Sequence, residues 1–518
     1  MFVPKYKSFL VLILALLLLG FFYYLCQKKG TMDTSMLRAA FPAKAPHTKY
    51  DPAKIHFSHE YNFLANTFSP LLEYSASGEL VSSVAEKFEW VGNEARFTIR
   101  RNFRTVDGDV IDAYDIEKTF KRMFILESNT HGDLKDMLCP GVQFSGLDDV
   151  CPGMGVKEGG RVFSMRFNEP KIFLFSMLTA IDFAIIPRKS IDAKTLKIAD
   201  YRNTSGPYYV RKDDGRGNIE LGINKNHFHY SEKIPQNILL VPVDPKNTTE
   251  AVKLFEENKI DHIPTFSRVP GEIILDYAAK NSDVSLHSSY PQRLYLLVFT
   301  KKGRESLAED ERRFIGVKVK KAVLARLLGK TGYQEADQLF PVLGEGALSK
   351  ARLLDIESKF QAASKHGKIE KKLIAWNVPA EDIEEIKKSL PNTKFIGNVI
   401  KIPGLIDYKK EGLEEPDFWF LRSDTSPQED ISLFSFYLNF EFFHIYGKAG
   451  KEWLRGYMAT KEKESRLALA RELHYQTLYH ADVVPIAANS YVAIVRRPWV
   501  FDFSKFYATN FIWRIRRN

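Results

Sequence analysis

The sequence is poor in the features that mark several common protein classes. Its 518 residues include three cysteines, no internal repeat and no long low-complexity segment. Neither a repeat solenoid nor a disordered tail is therefore indicated. The net charge of +10 comes from lysines and arginines scattered along the chain without a long basic run. This excess gives weak support for anionic surfaces nearby and does not by itself indicate nucleic-acid binding.

Motifs for chemistry or nucleotide binding are also missing. His56 and His59 precede Glu60, but zinc-protease motifs place the glutamate between two histidines or just before the second one. Residues 328–331 end like a phosphate-binding loop, but Leu324 stands where that loop needs its first glycine. We therefore predict no metal, no cofactor and no enzymatic activity; the alternative is a hydrolase with an unrecognised site.

Two of the cysteines, Cys139 and Cys151, are each followed directly by a Pro-Gly pair in a segment rich in turn residues. In an oxidising compartment, a disulfide that closes this loop would stabilise the fold by about 3 kcal/mol. Neither the spacing nor the neighbouring residues match a metal or redox site. We predict a disulfide.

The N-terminal segment has the composition of a membrane or signal segment. Lys5 and Lys7 precede an apolar run over residues 9–25, and Cys26 follows. As a helix this run would be roughly 25 Å long, close to the minimum for a bilayer core. Bulky residues stand where a cleaved signal peptide needs small ones, which favours an uncleaved anchor. Lipidation at Cys26 and ordinary cleavage stay open, and all three options place the body outside the cytoplasm.

The best-marked stretch of the chain covers residues 68–123. Phe88 and Trp90, then Phe97 and Ile99, alternate as in two half-buried strands separated by a turn. Asp112 can cap a helix that follows, because a second carboxylate, Asp115, stands three residues later. The predicted helix carries apolar residues on one face, namely Ile116, Phe120 and Met123.

This order of landmarks resembles the bacterial extracellular solute-binding proteins of family 5, the oligopeptide and dipeptide receptors of ABC importers. The matching segments are residues 68–72, 78–90, 97–100, 103–108 and 112–116, together with 51–54, 204–210, 258–261 and 481–486. The resemblance covers nearly the whole chain after residue 36.

The resemblance implies an α/β protein with the two-lobed periplasmic binding protein type II fold and an additional inserted subdomain in the first lobe. The N-terminal segment is residues 1–31. The first lobe would comprise residues 32–267 and 483–518, with the inserted subdomain at about 71–200. The second lobe would comprise residues 268–482.

Hydrophobic patterns add local predictions for the second lobe. Residues 294–299 are predicted to form a strand buried on both faces. Residues 371–376 and 393–397 are predicted to be strands around a helix at 380–390. Residues 462–479 show the pattern of an amphipathic helix. The last strand should return the chain to the first lobe, where the aromatic tail, residues 501–513, is expected to pack.

The resemblance also implies where a ligand binds. In the oligopeptide receptors, extended residues that line the peptide cleft correspond to His56, Phe57 and Ser58. These receptors contact the peptide mainly through backbone groups, so the unlike side chains here are compatible with the role and leave specificity open.

A second group of ligand residues is implied at Phe420, Arg422 and Asp424. Asp424 falls on the acidic residue that pairs with a peptide's α-amino group, and a carboxylate facing an ammonium makes a charge-assisted hydrogen bond. The alternative is that Asp424 only opens a turn before Pro427.

The implied function is capture of peptides between two lobes and delivery to an ABC permease in the inner membrane. We expect a monomer on the periplasmic side of the membrane, tethered by the N-terminal segment, with no nucleic-acid partner. The alternative is a membrane-tethered sensor or scaffold that kept the binding fold without transport. The resemblance leaves the ligand open among a peptide, a nickel chelate and a sugar, because this fold serves all three.

Overall fold

The structure is a computed structural model of the whole chain. It describes residues 35–55, 58–127, 132–171, 173–244, 246–247, 249–265, 269–339, 346–364, 369–399, 403, 406–424, 438, 443–507 and 511–518. Within these ranges no helix is both long enough and apolar enough to cross a membrane. The predicted anchor and Cys26 lie outside the described residues.

The strands of the described residues follow in chain order. They are β1 (Met36–Phe41), β2 (Leu72–Tyr74), β3 (Leu80–Ser82), β4 (Ala85–Val91), β5 (Glu94–Ile99), β6 (Met154–Lys157), β7 (Val162–Arg166), β8 (Tyr208–Asp213), β9 (Ile219–Ile223), β10 (Asn237–Pro242), β11 (His262–Ile263), β12 (Val284–Phe299), β13 (Tyr333–Glu335), β14 (Leu373–Trp376), β15 (Thr393–Ile396), β16 (Phe418–Asp424), β17 (Val483–Arg496), β18 (Trp499–Phe501) and β19 (Ile515–Arg517).

The α-helices of the same residues connect these strands. They are α1 (Ser58–Thr67), α2 (Ala113–Ile125), α3 (Gly132–Leu138), α4 (Leu174–Met177), α5 (Glu250–Glu256), α6 (Gly271–Lys280), α7 (Lys301–Ser306), α8 (Glu309–Leu327), α9 (Lys350–Ser364), α10 (Ala380–Ser389), α11 (Tyr408–Glu411), α12 (Gly447–Ala459) and α13 (Lys463–Tyr479).

One large mixed sheet runs through the molecule in the order β15-β14-β16-β12-β17-β11-β1-β10-β9-β8, and β13 also pairs with β17. In the first lobe β1 is parallel to both β10 and β11. In the second lobe β14 is parallel to both β15 and β16. The chain therefore forms two α/β lobes with a parallel centre each.

Two long antiparallel strands, β12 and β17, join the lobes. They pair from Val284 opposite Arg496 to Val298 opposite Val483, with register shifts between Ser288 and Arg293 and between Tyr295 and Leu296. Near its C-terminal end β17 also pairs with β11 of the first lobe, and in its middle, at residues 487–489, it pairs with β13 of the second. Each strand thus belongs to both lobes, and its irregular middle lies at their junction.

Each lobe buries apolar residues on both faces of its part of the sheet. In the first lobe, α1 and the β18–β19 pair cover one face, and α5 and α6 cover the other. In the second lobe, α8 and α10 cover one face, and α9, α12 and α13 cover the other. This double coverage explains why residues 294–299 form a continuous apolar run, as predicted.

A separate four-stranded antiparallel sheet, β4-β5-β7-β6, forms the inserted subdomain with α2 and α3. The predicted strand pair is confirmed, with Phe88 opposite Phe97. The predicted disulfide is also present: Cys139 and Cys151 are bonded, with their Cα atoms 5.0 Å apart. Both cysteines are buried in the subdomain core, which the loop between them covers.

Other local predictions are confirmed. The second-lobe βαβ unit is β14-α10-β15, and the amphipathic helix is α13, whose apolar face is buried. The tail packs on the first lobe through Phe501, Ile512 and Ile515. For the βαβ unit and α13 the side-chain period identified the elements, because apolar faces had to be buried.

Candidate functional site

A row of polar residues crosses four strands where the two lobes meet. In the register of the sheet, Asp424 of β16 lies opposite Arg293 of β12. Arg293 lies opposite Asn489 of β17, and Asn489 lies opposite Tyr333 of β13. Residues directly opposite on antiparallel strands present their side chains on the same face. We call Asp424, Arg293, Asn489 and Tyr333 the four-strand row.

The carboxylate of Asp424 is already partnered in this row. Its Oδ1 lies 3.4 Å from Nε of Arg293, and half of its side chain, 51%, is exposed. The Nη2 of Arg293 donates a hydrogen bond to the Tyr491 hydroxyl at 2.9 Å. Burial lowers the pKa of Arg293, but Tyr491 and Asp424 outweigh it and raise that pKa. Asp424 therefore faces a permanent cation before any ligand arrives.

The other two predicted residues of β16 lie on the same face at alternate positions. Phe420 is buried and packs on the ring of Tyr295, with the centroids 6.0 Å apart. The guanidinium of Arg422 lies 5.0 Å from the centroid of the Tyr295 ring, and the residue is exposed. Phe420 thus belongs to the second-lobe core, and Arg422 and Asp424 are accessible to a ligand.

Of the first group of predicted ligand residues, the structure describes only Ser58. His56 and Phe57 lie outside the described residues. Ser58 was expected in an extended segment, but it is the first residue of α1. That expectation was wrong, and the helix has a physical reason: Glu60 lies in its first turn, where the positive end of the helix dipole stabilises a carboxylate.

A cavity of about 180 Å³ lies beside the row, between the start of α6 in the first lobe and the turn before β13 in the second. We call it the hinge pocket. Its lining residues are Gly271, Glu272, Leu275, Ser288, Thr331, Gly332, Tyr333, Asn489 and Ser490. Asn489 and Tyr333 belong to both features, so the hinge pocket and the row are continuous.

The hinge pocket depends on close contact between the lobes at Gly332. The backbone there has φ of +88°, and an added Cβ would lie 2.6 Å from Cδ1 of Leu275. The positive φ therefore favours glycine in this turn, and the absence of a Cβ leaves room for the Leu275 side chain. Nearby, Thr331 Oγ1 donates to Oδ1 of Asp276 at 3.0 Å, which is a second contact between the lobes.

Two acceptor atoms of the hinge pocket lack a donor. Oε1 of Glu272 lies 3.5 Å from Nζ of Lys330. In contrast, Oε2 of Glu272 and Oδ1 of Asn489 are both buried, and neither receives a hydrogen bond from the described residues. Buried acceptors of this kind are costly unless a donor reaches them. The pocket can therefore bind a group that donates hydrogen bonds.

The tyrosines around the site stay neutral. Burial, followed by the bond to the Tyr295 hydroxyl, raises the pKa of Tyr333. Burial, followed by the charge of Asp424, raises the pKa of Tyr491. Both hydroxyls can therefore donate or accept hydrogen bonds at physiological pH. Across the described residues no group of three or more His, Cys, Asp or Glu side chains could hold a metal ion.

Sequence patterns did not reveal the hinge pocket. Its residues come from four separate segments, between positions 271 and 490. Glu272 stands in an ordinary helix start, and Asn489 is one polar residue in a buried strand. The polar pair Asn489-Ser490 within a mainly apolar strand was a signal that could have marked the place.

No protein-family model and no curated protein sequence matches this chain. Solved structures do match over nearly its whole length. The Escherichia coli murein tripeptide binding protein MppA has a TM-score of 0.68 at 16% identity, covering 93% of this chain and 98% of that one. Haemophilus influenzae OppA, in complex with the peptide RPPGFSPFR, has a TM-score of 0.66 at 14% identity, covering 94% and 99%.

A third similar structure contains a different kind of ligand. NikA from Brucella suis, in complex with Fe(III)-EDTA, has a TM-score of 0.72 at 14% identity, covering 93% of this chain and 100% of that one. These matches, together with the two α/β lobes, the paired crossing strands and the inserted sheet, show that the chain has the two-lobed periplasmic binding protein type II fold with an additional subdomain in its first lobe.

Proposed function

We propose that this protein is an extracytoplasmic solute-binding receptor that captures peptides between its two lobes and delivers them to an ABC importer. The observation that carries the proposal is the four-strand row, because apolar crossing strands turn polar where the lobes meet. A row of polar residues with exposed members, beside a pocket, fits a ligand site better than a structural core, because a core excludes polar groups unless they have partners. The protein acts by binding and catalyses no reaction.

The geometry suits an extended peptide. A peptide that lies along the exposed end of β16 would make main-chain hydrogen bonds as an added strand, and side-chain pockets would supply specificity. Arg422 is free to contact the peptide there, and Asp424 stays the residue that the resemblance assigns to its α-amino group. His56, Phe57 and Ser58 stay the residues predicted for the opposite wall.

Similar folds support more than one ligand class. MppA is a murein tripeptide binding protein and OppA holds a nonapeptide, which favours peptides, whereas NikA holds a metal chelate. The proposal includes the predicted lobe boundaries, changed at one point: α6, predicted in the second lobe, packs in the apolar cluster of α5 and is counted with the first lobe. It also includes the periplasmic location, the N-terminal tether and a monomer that works with an inner-membrane permease. If the protein did not take part in transport, a membrane-tethered sensor would replace the importer receptor as the proposed function.

Thermal unfolding tests the proposal directly. The full chain, produced in an oxidising compartment and purified in mild detergent, is refolded to remove bound ligand and mixed with di- to pentapeptide pools. A ligand at a hundred times its Kd adds about 2.7 kcal/mol of stability, which is enough for a visible rise in Tm. We expect at least one pool to raise Tm and a nickel chelate or sugar pool to leave it unchanged.

A pair of arginine variants locates the binding. Arg422→Gln should weaken the Tm shift, because Arg422 is exposed on the site face of β16. Arg211→Gln should not, because Arg211 lies on β8 at the far edge of the sheet. A well-folded protein that no peptide stabilises would contradict the peptide assignment and favour the sensor.

A further inference from the structure

We infer that the hinge pocket binds a primary ammonium group of the ligand through Glu272 and Asn489. This inference rests on the proposed function, since it names the chemistry that the ligand presents between the lobes. It assigns the ammonium to Glu272, whereas the family resemblance assigns it to Asp424.

The unsatisfied atoms define what the pocket accepts. Both buried atoms without a donor, Oε2 of Glu272 and Oδ1 of Asn489, are acceptors, and one belongs to a carboxylate. A primary ammonium has three donors and one positive charge, so it can satisfy both acceptors and pair with the carboxylate. A carboxylate or another acceptor-only group would leave them unpaired and be repelled.

The balance of charge differs between the two candidate carboxylates. Asp424 is accompanied by Arg293 on one side, and Arg422 follows the same face of β16, which gives two cations to one anion. At the hinge pocket, Glu272 pairs with Lys330 and Asp276 lies on the same helix, whereas Arg293 stands one strand away, opposite Asn489. An incoming cation therefore meets less positive charge at Glu272 than at Asp424.

Lys330 does not occupy the position of the proposed ammonium. Its Nζ reaches only Oε1 of Glu272, at 3.5 Å, and 44% of its side chain is exposed, whereas 19% of the Glu272 side chain is exposed. The pair therefore lies at the pocket's outer edge and leaves Oε2 inside unpaired. A ligand ammonium can bind on the inner side without displacing Lys330.

The cavity is large enough for the proposed group. Its volume of about 180 Å³ corresponds to about six water molecules at ~30 Å³ each. Both an N-terminal α-ammonium and the end of a lysine side chain fit this space. Because a cavity of about 150 Å³ already admits benzene, selectivity comes from the acceptor atoms and not from the volume.

A cation bound in the hinge pocket would also link elements of both lobes. Glu272 lies on α6 of the first lobe, Tyr333 lies on β13 of the second, and Asn489 lies on the strand that joins them. A cation held by Glu272 and Asn489 would fix the first lobe to the crossing strand. Ligand binding should therefore favour the arrangement in which Gly332 contacts Leu275.

Three peptide pools distinguish the sources of the ammonium. The first holds lysine-free tripeptides with free N-termini, the second holds the same tripeptides N-acetylated, and the third holds N-acetylated tripeptides with one lysine. Each is titrated into native protein, Glu272→Gln and Asp424→Asn, with affinity measured by calorimetry. Glu272→Gln should weaken binding of the two ammonium-bearing pools at least about 10-fold, so that their affinity no longer exceeds that of the acetylated, lysine-free pool. In Asp424→Asn the ammonium-bearing pools should still bind more tightly than that pool.

Asp276→Asn is the matched control, because it removes a neighbouring carboxylate on the same helix while its side-chain oxygen still accepts from Thr331. It should change affinity less than Glu272→Gln does. Circular dichroism and the Tm of the unliganded variants verify their folding. If Glu272→Gln keeps the native preference for free N-termini, or if Asp424→Asn alone loses it, the inference is wrong although peptide binding stands.

Methylammonium tests the pocket even if no peptide binds. Broadening of its methyl NMR signal by native protein, with less broadening by Glu272→Gln and none for tetramethylammonium, would support the ammonium site. Equal broadening by native protein and Glu272→Gln would overturn it. Failure of every peptide pool together with selective methylammonium binding would overturn the proposed peptide receptor and leave the ammonium site standing.

Discussion

At the scale of single residues, the start of α2 shows how a local motif becomes part of tertiary structure. The Asp112 carboxylate accepts a hydrogen bond from the backbone N–H of Tyr114 at 2.9 Å, and Asp115 accepts one from the N–H of Asp112 at 2.8 Å. Arg188, more than 70 residues later, contacts both carboxylates. The capping box predicted from sequence is confirmed, and a distant arginine reinforces it.

Replacing Asp112 separates the cap from the ion pair. Asp112→Ala removes both and should lower the free energy of unfolding by about 1–2 kcal/mol. Asp112→Asn keeps a capping oxygen and loses only the charge, so its loss should be smaller. Urea unfolding followed by circular dichroism measures both. Equal losses in the two variants would show that the ion pair with Arg188, and not the cap, is the stabilising part.

At the scale of elements, the disulfide fixes a loop that has little regular structure. Cys139 follows α3 and Cys151 precedes β6, and the two positions are 12 apart in the sequence. On the chain-entropy estimate, a loop of this length contributes about 3 kcal/mol by restricting the unfolded chain. The inserted subdomain therefore depends on an oxidising compartment for part of its stability.

Reduction of the disulfide gives a direct prediction. Dithiothreitol should lower the Tm of the native protein, and a Cys139→Ala/Cys151→Ala variant should start near that lower Tm and not respond to the reductant. Thermal unfolding with and without reductant measures the difference. Ligand affinity should stay unchanged, because the loop lies in the subdomain and not beside the four-strand row. If reduction leaves the Tm of the native protein unchanged, the stabilising role of the disulfide is contradicted.

At the scale of the whole molecule, one aromatic residue links the inserted subdomain to the second lobe. Phe173 follows β7, but its ring stacks on Tyr457 of α12, with centroids 5.6 Å apart and planes 6° from parallel. The guanidinium of Arg466 on α13 lies 5.5 Å from the centroid of the same ring. This contact joins the lobes at a place separate from the crossing strands, so it should help to hold them together.

Removing this ring should favour separation of the lobes. In small-angle X-ray scattering without ligand, Phe173→Ala should have a larger radius of gyration than the native protein, because stacking and cation–π contacts are lost. Phe88→Ala is the control, since Phe88 packs within the subdomain against Phe175. Saturating ligand should reduce the difference. An unchanged radius for Phe173→Ala would mean that the crossing strands alone set the lobe arrangement.

Local patterns predicted much of this protein, because burial on one face imposes a side-chain period on each element. The capping box at Asp112, the alternation from Phe88 to Ile99 and the βαβ unit around α10 were all legible in the sequence. The predicted residues Arg422 and Asp424 do lie on one accessible face of β16. The extended conformation expected for Ser58 was wrong, because a resemblance in sequence order did not reveal where α1 begins, and its role in ligand binding stays a prediction.

Local patterns were enough to predict the elements, the disulfide partners and the resemblance that points to a two-lobed fold, because these depend on short-range chemistry and order along the chain. The partners of each charge depend on how distant segments come together. Only the register of four strands brings Arg293 to Asp424 and sets Asn489 beside Tyr333. Only the approach of α6 to the turn before β13 leaves the Glu272 carboxylate with an unpaired oxygen in a cavity, since this contact joins segments that lie far apart along the chain.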